Sequence, residues 1–319
     1  MLSVSELISA QSRPISIWRK NTKYSTILGY QPFPSALIVS HGFPFFFCLF
    51  KFLTNNCRFT KHPFFMILNF LGTGTSQGVP VIGCHCPVCR SDDPRDHRLR
   101  SSVLLTTDDQ KNLLIDCGPD FRLQMLRAAA DDLEAALITH EHNDHIIGLD
   151  DMRPLIFRKG KNIDIYAKER VANEIRERFP YAFATVRYPG APSFDLHHID
   201  GPLEIAGVKI QPLEVMHGNL PILGFRIRNL AYVTDASYIS PQEKEKMQNL
   251  EYLILNCIRK DDLHPSHYIL PQAIELFEEL RPRKMLLTHI SHHMGLFPET
   301  SAELPEGIEL AYDGLQLDF

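Results

Sequence analysis

The sequence predicts an α/β layered domain. Three observations carry that expectation: short apolar runs that each close on a polar residue, stretches with apolar residues at helical spacing between them, and a histidine-rich turn directly after one of the runs. The runs at 67–71, 103–107 and 113–116 come first, separated by Gly, Asp and Asn, and read as strands. Residues 121–130 read as a helix, 135–138 as a strand, and 167–178 as an amphipathic, charged helix. Further strands are expected at 208–215, 230–234 and 284–288, and a helix at 271–280 that Pro282 stops.

The strand at 135–138 runs into Thr139-His140-Glu141-His142-Asn143-Asp144-His145, which places three imidazoles and the carboxylate of Asp144, beside that of Glu141, within six consecutive positions. A strand entering a tight turn can aim His140 and His142 at one metal ion, while Asp144 and His145, further round the bend, face a second. Imidazole nitrogen and carboxylate oxygen suit zinc, manganese, iron or nickel. The plain alternative is a polar surface turn that happens to be rich in histidine.

A second cluster, Cys84-His85-Cys86-Pro87-Val88-Cys89, takes three of the seven cysteines. C-x-C-x2-C is metal spacing and not a disulfide framework, and an odd cysteine total fits a reducing cytoplasm. Three thiolates need a fourth ligand to close a tetrahedral zinc site, and His85, His97, His264, His292 and His293 all offer one. Spacing does not choose among them. Cys117 and Cys257 end apolar runs and read as buried small hydrophobes.

Composition divides the chain at Met66. Residues 1–65 hold seven Lys and Arg against one Glu, net +6, which leaves −11 for residues 66–319 out of a total of −5. The later 254 residues suffice for one sizeable core. The aromatic stretch at 43–53 holds about ten residues and includes Lys51, against the ~20 needed to span a bilayer. It also lacks the grammar of a signal peptide. No membrane association is expected.

The H-x-H-x-D-H pattern resembles the signature of the metallo-beta-lactamase superfamily. That resemblance implies a pseudo-twofold αββα sandwich, two mixed sheets packed back to back with outer helices and metals at one edge. It also directs attention to His217, Asp235 and His289, each a polar residue at the close of an apolar run. With them the implied active-site ligands are His140, His142 and His217 for one ion, Asp144, His145 and His289 for the other, and Asp235 as bridge. Leu113-Leu114-Ile115-Asp116-Cys117-Gly118 matches the family's first motif, whose Asp116 braces the ligand loop. Because the family's first strand begins near Ile67, residues 1–65 read as an atypical extension outside the native hydrolase domain, 66–319.

A narrower resemblance rests on Gly72-Thr73-Gly74-Thr75-Ser76-Gln77-Gly78-Val79-Pro80, the cysteine cluster, Arg98-Leu99-Arg100-Ser101-Ser102 and Thr288-His289-Ile290-Ser291-His292. Together these look like the phosphoribosyl cyclic phosphodiesterase, or PhnP-like, group. In that group the histidine three positions after the last catalytic ligand completes the structural zinc site, which maps onto His292 beside Cys84, Cys86 and Cys89. His267, 22 residues before His289, matches the group's active-site histidine that is not a ligand. His267 and Asp144 are therefore the residues assigned to catalysis. The glycine-rich 72–78 stretch lacks a G-K-S/T ending and reads as a tight turn near the metal edge, not as a nucleotide loop.

The resemblance implies a hydrolase with two divalent ions, zinc or manganese, and one structural zinc. Hydroxide supplied at the ion pair would attack phosphorus of a small cyclic phosphodiester such as 5-phosphoribosyl 1,2-cyclic phosphate, with His267 assisting the departing oxygen. The expected partner is a small phosphorylated substrate in the cytoplasm, with no stable nucleic-acid partner; monomer and homodimer are both open. The nearest rival is a tRNA 3′-end endonuclease, which shares the ligands but would carry a long RNA-clamping arm and a basic footprint. A glyoxalase II-like thioesterase would add a helical domain where only 30 residues follow His289. A secreted beta-lactamase would carry a signal peptide. Outside enzymes, the rival is a zinc-stabilised binding protein with an idle metal site.

Overall fold

In the computed structural model, which describes residues 66–319, the apolar runs form two sheets with one buried layer between them. The expected extension, 1–65, lies outside the described residues. The first sheet has seven strands in the order Gln316–Asp318, Ile67–Gly72, Ser102–Thr106, Asn112–Ile115, Ala135–Leu137, Ile163–Ala167 and Phe194–His198. The second runs Tyr238–Ile239, Val208–His217, Leu220–Ile227, Leu230–Val233, Tyr252–Asn256, Lys284–Thr288 and Ile308–Leu310, and Leu203–Ile205 pairs with Val208–His217 off this path. Each sheet is antiparallel at one side and parallel at the other, so both are mixed. This is the expected αββα sandwich.

Burial explains the layers. Leu68, Phe70, Leu105 and Leu113 from the first sheet meet Phe225, Tyr232, Ile254 and Leu286 from the second in one cluster. The outer face of the first sheet is covered by Phe121 and Met125 of helix Phe121–Arg127 and by Val171 and Ile175 of helix Glu169–Arg178. Helix Leu270–Leu280 covers the second sheet through Ala273, Leu276 and Leu280. Each fully buried Leu, Ile or Phe contributes roughly 1.5–3 kcal/mol, so Phe225→Ala in the shared layer should cost about 3–5 kcal/mol. No helix among the described residues is long and apolar enough to cross a membrane.

The observed elements shift the expected boundaries by a few residues. The helix expected at 121–130 stops at Arg127 and is capped by Ala128, with Ala129 in the left-handed region. The stretch expected as one helix from 167 divides, because Ile163–Ala167 joins the sheet and the helix begins only at Glu169. Val208–His217 extends through its last residue, so His217 ends a strand and does not follow one. Asn143–Ile146 forms a single helical turn where a bend was expected.

Candidate active site

Strand ends place the candidate ligands. His140 follows Ala135–Leu137, Asp235 follows Leu230–Val233, and His289 follows Lys284–Thr288, so they gather at the carboxyl ends of strands, where open α/β sheets put their sites. His217 arrives from the hairpin that joins Val208–His217 to Leu220–Ile227. Asp116, Asp235 and His289 all have left-handed backbones, with φ of 64°, 59° and 54°. For a residue with a Cβ that conformation costs about 1–3 kcal/mol and persists only where surrounding contacts fix it. Gly118 is needed for a different reason: a Cβ there would lie 2.2 Å from the carbonyl oxygen of Asp144. Its absence lets the Asp116–Gly118 corner dock on the ligand turn, where Cys117 N–H donates to the His145 carbonyl at 2.7 Å.

The rings are braced on one nitrogen each. His145 Nδ1 donates to Asp116 Oδ2 at 2.7 Å, and His217 Nδ1 to the Ser266 carbonyl at 2.7 Å. Thr139 Oγ1 gives its own hydrogen to Asp116 and so accepts from His140 Nδ1 at 2.9 Å. Ser101 Oγ likewise donates to the Gly74 carbonyl and accepts from His289 Nδ1 at 3.2 Å. All four imidazoles therefore keep a proton on Nδ1 and turn Nε2 to the site. Partners of this kind fix tautomer and orientation in metal centres.

Two donor groups result. His140, His142 and His217 form one, and Asp144, His145, Asp235 and His289 the other, with the ligand atoms of each group within 4.8 Å of one another. His140 Nε2 lies 3.0 Å from His142 Nδ1. Asp235 has Oδ1 3.2 Å from His289 Nε2 and Oδ2 3.3 Å from His145 Nε2 within its own group, and it also falls within reach of His217 of the first. His145 Nε2, 3.2 Å from Asp144 Oδ2, is buried and has no hydrogen-bond partner, since its approaches to the two carboxylates lack hydrogen-bond geometry. A lone pair facing carboxylates in a dry pocket calls for a cation.

Electrostatics agree with that need. Burial works against charge on His145, yet Asp116, Asp235 and Asp144 together hold its imidazole well above the usual histidine range, so this pocket draws a positive charge to Nε2, a proton when no metal ion takes its place. Burial pushes His289 down to about 4 and holds His140 and His217 below the ordinary value, so three candidate ligands stay neutral. Asp235 remains ionised: burial opposes its charge, but His289 and His145 outweigh it.

His267 lies beside this set, with Nε2 3.2 Å from Asp235 Oδ1, Nδ1 3.1 Å from His264 Nδ1, and its ring stacked on His289. Its donor atom also falls within reach of His217 and Asp235 together, so the geometry admits it as a ligand as well as a proton carrier.

The cysteine cluster forms a separate group. His292 Nδ1 lies 3.2, 3.4 and 3.5 Å from the sulfurs of Cys84, Cys86 and Cys89, while His85, His97, His264 and His293 are outside this group. The excursion that carries the thiols is closed by reciprocal bonds between Val79 and Arg98 and tied down by Asp96, which accepts from Phe297 N–H at 2.8 Å. Burial pushes the Cys89 thiol up to about 11, so it ionises only with help from a cation.

Sequence reasoning overlooked Ser101, Thr139 and Ser266 as braces, and Arg170, which pairs with Glu141 between two ligands and donates to the Pro221 carbonyl at 2.7 Å. Ser101 and Thr139 sit inside the motifs quoted above, which was the available signal. Ser266 acts through its backbone, and Arg170 lies far from any motif.

The fold and this double histidine–aspartate cluster define a beta-lactamase-superfamily domain, and the model of that domain matches residues 111–290. The crystal structure of a diphosphatase from the PhnP family superposes with a TM-score of 0.74 at 40% identity, covering 80% of this chain and 98% of that one. Zinc-bound PqqB from Methylobacterium extorquens gives a TM-score of 0.66 at 18% identity over 79% of this chain and all of that one, which shows the fold alone. A Porphyromonas gingivalis protein named octanoyltransferase is 44% identical over 248 residues, 77% of this chain; the chain spans 50% of that protein's length. The chain belongs to the metallo-beta-lactamase superfamily, as a PhnP-like member.

Proposed function

We propose that residues 66–319 form a dinuclear, divalent-metal phosphodiester hydrolase for small cyclic substrates, with 5-phosphoribosyl 1,2-cyclic phosphate as reference. The observation that carries this reading is Asp235, whose carboxylate lies within reach of His217 of the first donor group as well as of His145 and His289 of the second. His140, His142 and His217 would hold one ion, Asp144, His145 and His289 the other, and Asp235 both; zinc and manganese each suit these donors. The unpartnered Nε2 of His145 fits such an occupant. Bound there, the ions would lower the pKa of a water and stabilise charge on the attacking and leaving oxygens.

The chain's own groups do the rest. Asp116, Thr139, Ser101 and the Ser266 carbonyl keep four rings in one tautomer. His267 holds on Nε2 the proton that the departing alkoxide takes, and His264 orients it from the other side. Asp144, with 11% of its side chain exposed, is the site carboxylate nearest solvent and serves as ligand and catalytic group. Cys84, Cys86, Cys89 and His292 would hold a structural zinc. We read the protein as cytoplasmic and the substrate as small: residues 66–319 are net −11, and the 160–190 stretch builds only the sheet strand Ile163–Ala167 and the short helices Glu169–Arg178 and Pro180–Phe183 in place of an RNA-clamping arm.

One second reading has support of its own. The 40%-identical solved structure is called a diphosphatase, so a diphosphate is the competing substrate. Octanoyl transfer has less: the chain spans half of the protein so named, and Cys117 and Cys257 are buried thiols with raised pKa, poor acyl acceptors. Zinc- and manganese-loaded protein assayed against phosphoribosyl cyclic phosphate, cyclic nucleotides, diphosphates, precursor tRNA and thioesters tests the proposal. Turnover of diphosphates with none of the cyclic ester would replace it by the second reading.

A further inference from the structure

Between the active-site cluster and the thiol cluster lies a cavity of about 330 Å³, lined by His267 and His289 from the first and by His292 and its neighbour His293. Among the described residues no aspartate or glutamate lines it, although residues 66–319 carry a net −11. Its only lysine or arginine among them is Arg259. An acid-free hollow with one guanidinium, in an acidic protein, is selective for anions.

Arg259 is held in place. Its carbonyl accepts from Leu270 N–H at 3.1 Å, and the preceding Ile258 pairs with Tyr268 and Ser291, so it is clamped between the loops that carry His267 and His289. Its Nε and Nη2 donate to the carbonyls of Asp262 and Leu263 at 2.8 and 3.0 Å. Those bonds use one edge of the guanidinium and leave the Nη1–Nη2 edge, which matches two oxygens of a phosphate. Ser76 and Gln77, from the glycine-rich stretch that reads as a turn in the sequence, add polar lining. His292, if bound to metal through Nδ1, carries its remaining proton on Nε2.

We propose that this cavity is a subsite for a phosphate monoester group that the substrate carries away from the reacting phosphorus, anchored by Arg259. The inference rests on the reading that phosphorus reacts at the His and Asp cluster. A sugar 5-phosphate and the terminal phosphoryl of a diphosphate share this chemistry.

The experiment compares wild type with Arg259→Ala, and with Gln77→Glu, which adds a carboxylate to the lining without touching the Arg259 loop. Substrates are bis(p-nitrophenyl) phosphate, which has no second phosphate, phosphoribosyl cyclic phosphate and inorganic pyrophosphate. Ribose 5-phosphate and inorganic phosphate are tested as competitive inhibitors of the first. Both variants should lower kcat/KM on the cyclic sugar phosphate by about ten- to hundred-fold more than on bis(p-nitrophenyl) phosphate, the usual yield of a charge-assisted contact. They should raise the Ki of ribose 5-phosphate well beyond that of inorganic phosphate. Selective loss on pyrophosphate alone would assign the subsite to a terminal phosphoryl. Equal losses on every substrate, or an unmoved Ki for ribose 5-phosphate with no selective loss on pyrophosphate, would overturn the subsite. Wild type that cleaves only bis(p-nitrophenyl) phosphate would remove the proposed function instead, and the inhibition data would still decide the subsite.

Discussion

Asp116 Oδ2 and His145 Nδ1 lie 2.7 Å apart, and both side chains are fully shielded from solvent. The same carboxylate accepts from Thr139 N–H at 2.8 Å and from Thr139 Oγ1, which in turn braces His140. One buried group thus sets rings in both halves of the donor cluster.

Asp116→Asn keeps the shape and inverts part of the hydrogen bonding. An amide NH₂ presented to His145 Nδ1 expels the proton there to Nε2, where a ligand lone pair should be. Metal affinity is expected to fall by about 10- to 100-fold, as for other lost ligand braces. Competition with a chelator measures it. Unchanged affinity would show that His145 is not held through Asp116.

Cys86→Ser tests the thiol group. Its sulfur accepts from Cys89 N–H at 3.4 Å and faces His292 at 3.4 Å, so the substitution leaves an incomplete tetrahedron. Loss of one zinc per chain and a lower Tm are expected, with the active-site metals retained until the fold fails. Element analysis of the soluble variant is the check, and full zinc content would count against a structural site.

The sandwich was legible because strand ends and candidate ligands coincide: His140, Asp235 and His289 each close an apolar run, which one sequence displays without coordinates. The thiol cluster was legible up to its fourth ligand, which spacing left among five histidines and the resemblance assigned to His292. Arg259 and Arg170 were not legible. Each acts through contacts with residues distant in the chain or with backbone carbonyls, Glu141 and Pro221 for Arg170 and the Asp262 and Leu263 carbonyls for Arg259, and no periodicity or motif encodes those. The helix boundary at 167–169 failed for a related reason: Ala167 carries helical character locally, but pairing with His198 keeps it in the sheet.

Truncation to Met66 should leave the domain intact. Met66 and Phe319 exchange reciprocal backbone bonds of 3.0 Å, and Leu68 and Phe70 are fully buried in the layer between the sheets. Removing 1–65 disturbs none of these contacts. A Tm within about 4 °C of the full chain, a change of roughly 1 kcal/mol, and equal turnover are expected. An insoluble or inactive fragment would give the extension a role in the fold.

The last prediction separates ligand from proton carrier at His267. Its Nε2 lies 3.2 Å from Asp235 Oδ1 and within reach of His217, so geometry alone admits both roles. The braces argue for the proton carrier. The four rings fixed by Asp116, Thr139, Ser101 and the Ser266 carbonyl each have a partner that forces Nδ1–H, whereas His267 Nδ1 meets His264 Nδ1 and the Ser266 hydroxyl, partners that accept either tautomer. A ring free to change its proton suits acid–base work. His267→Ala should therefore keep metal content near wild type while lowering turnover by about 10²- to 10⁴-fold, and Asp235→Ala should lose metal as well. The defect should shrink for a diester with a p-nitrophenolate leaving group, which departs without protonation, whereas an anchoring role penalises both substrates alike. Metal loss from His267→Ala equal to that from Asp235→Ala would instead make the imidazole a ligand and move the acid elsewhere.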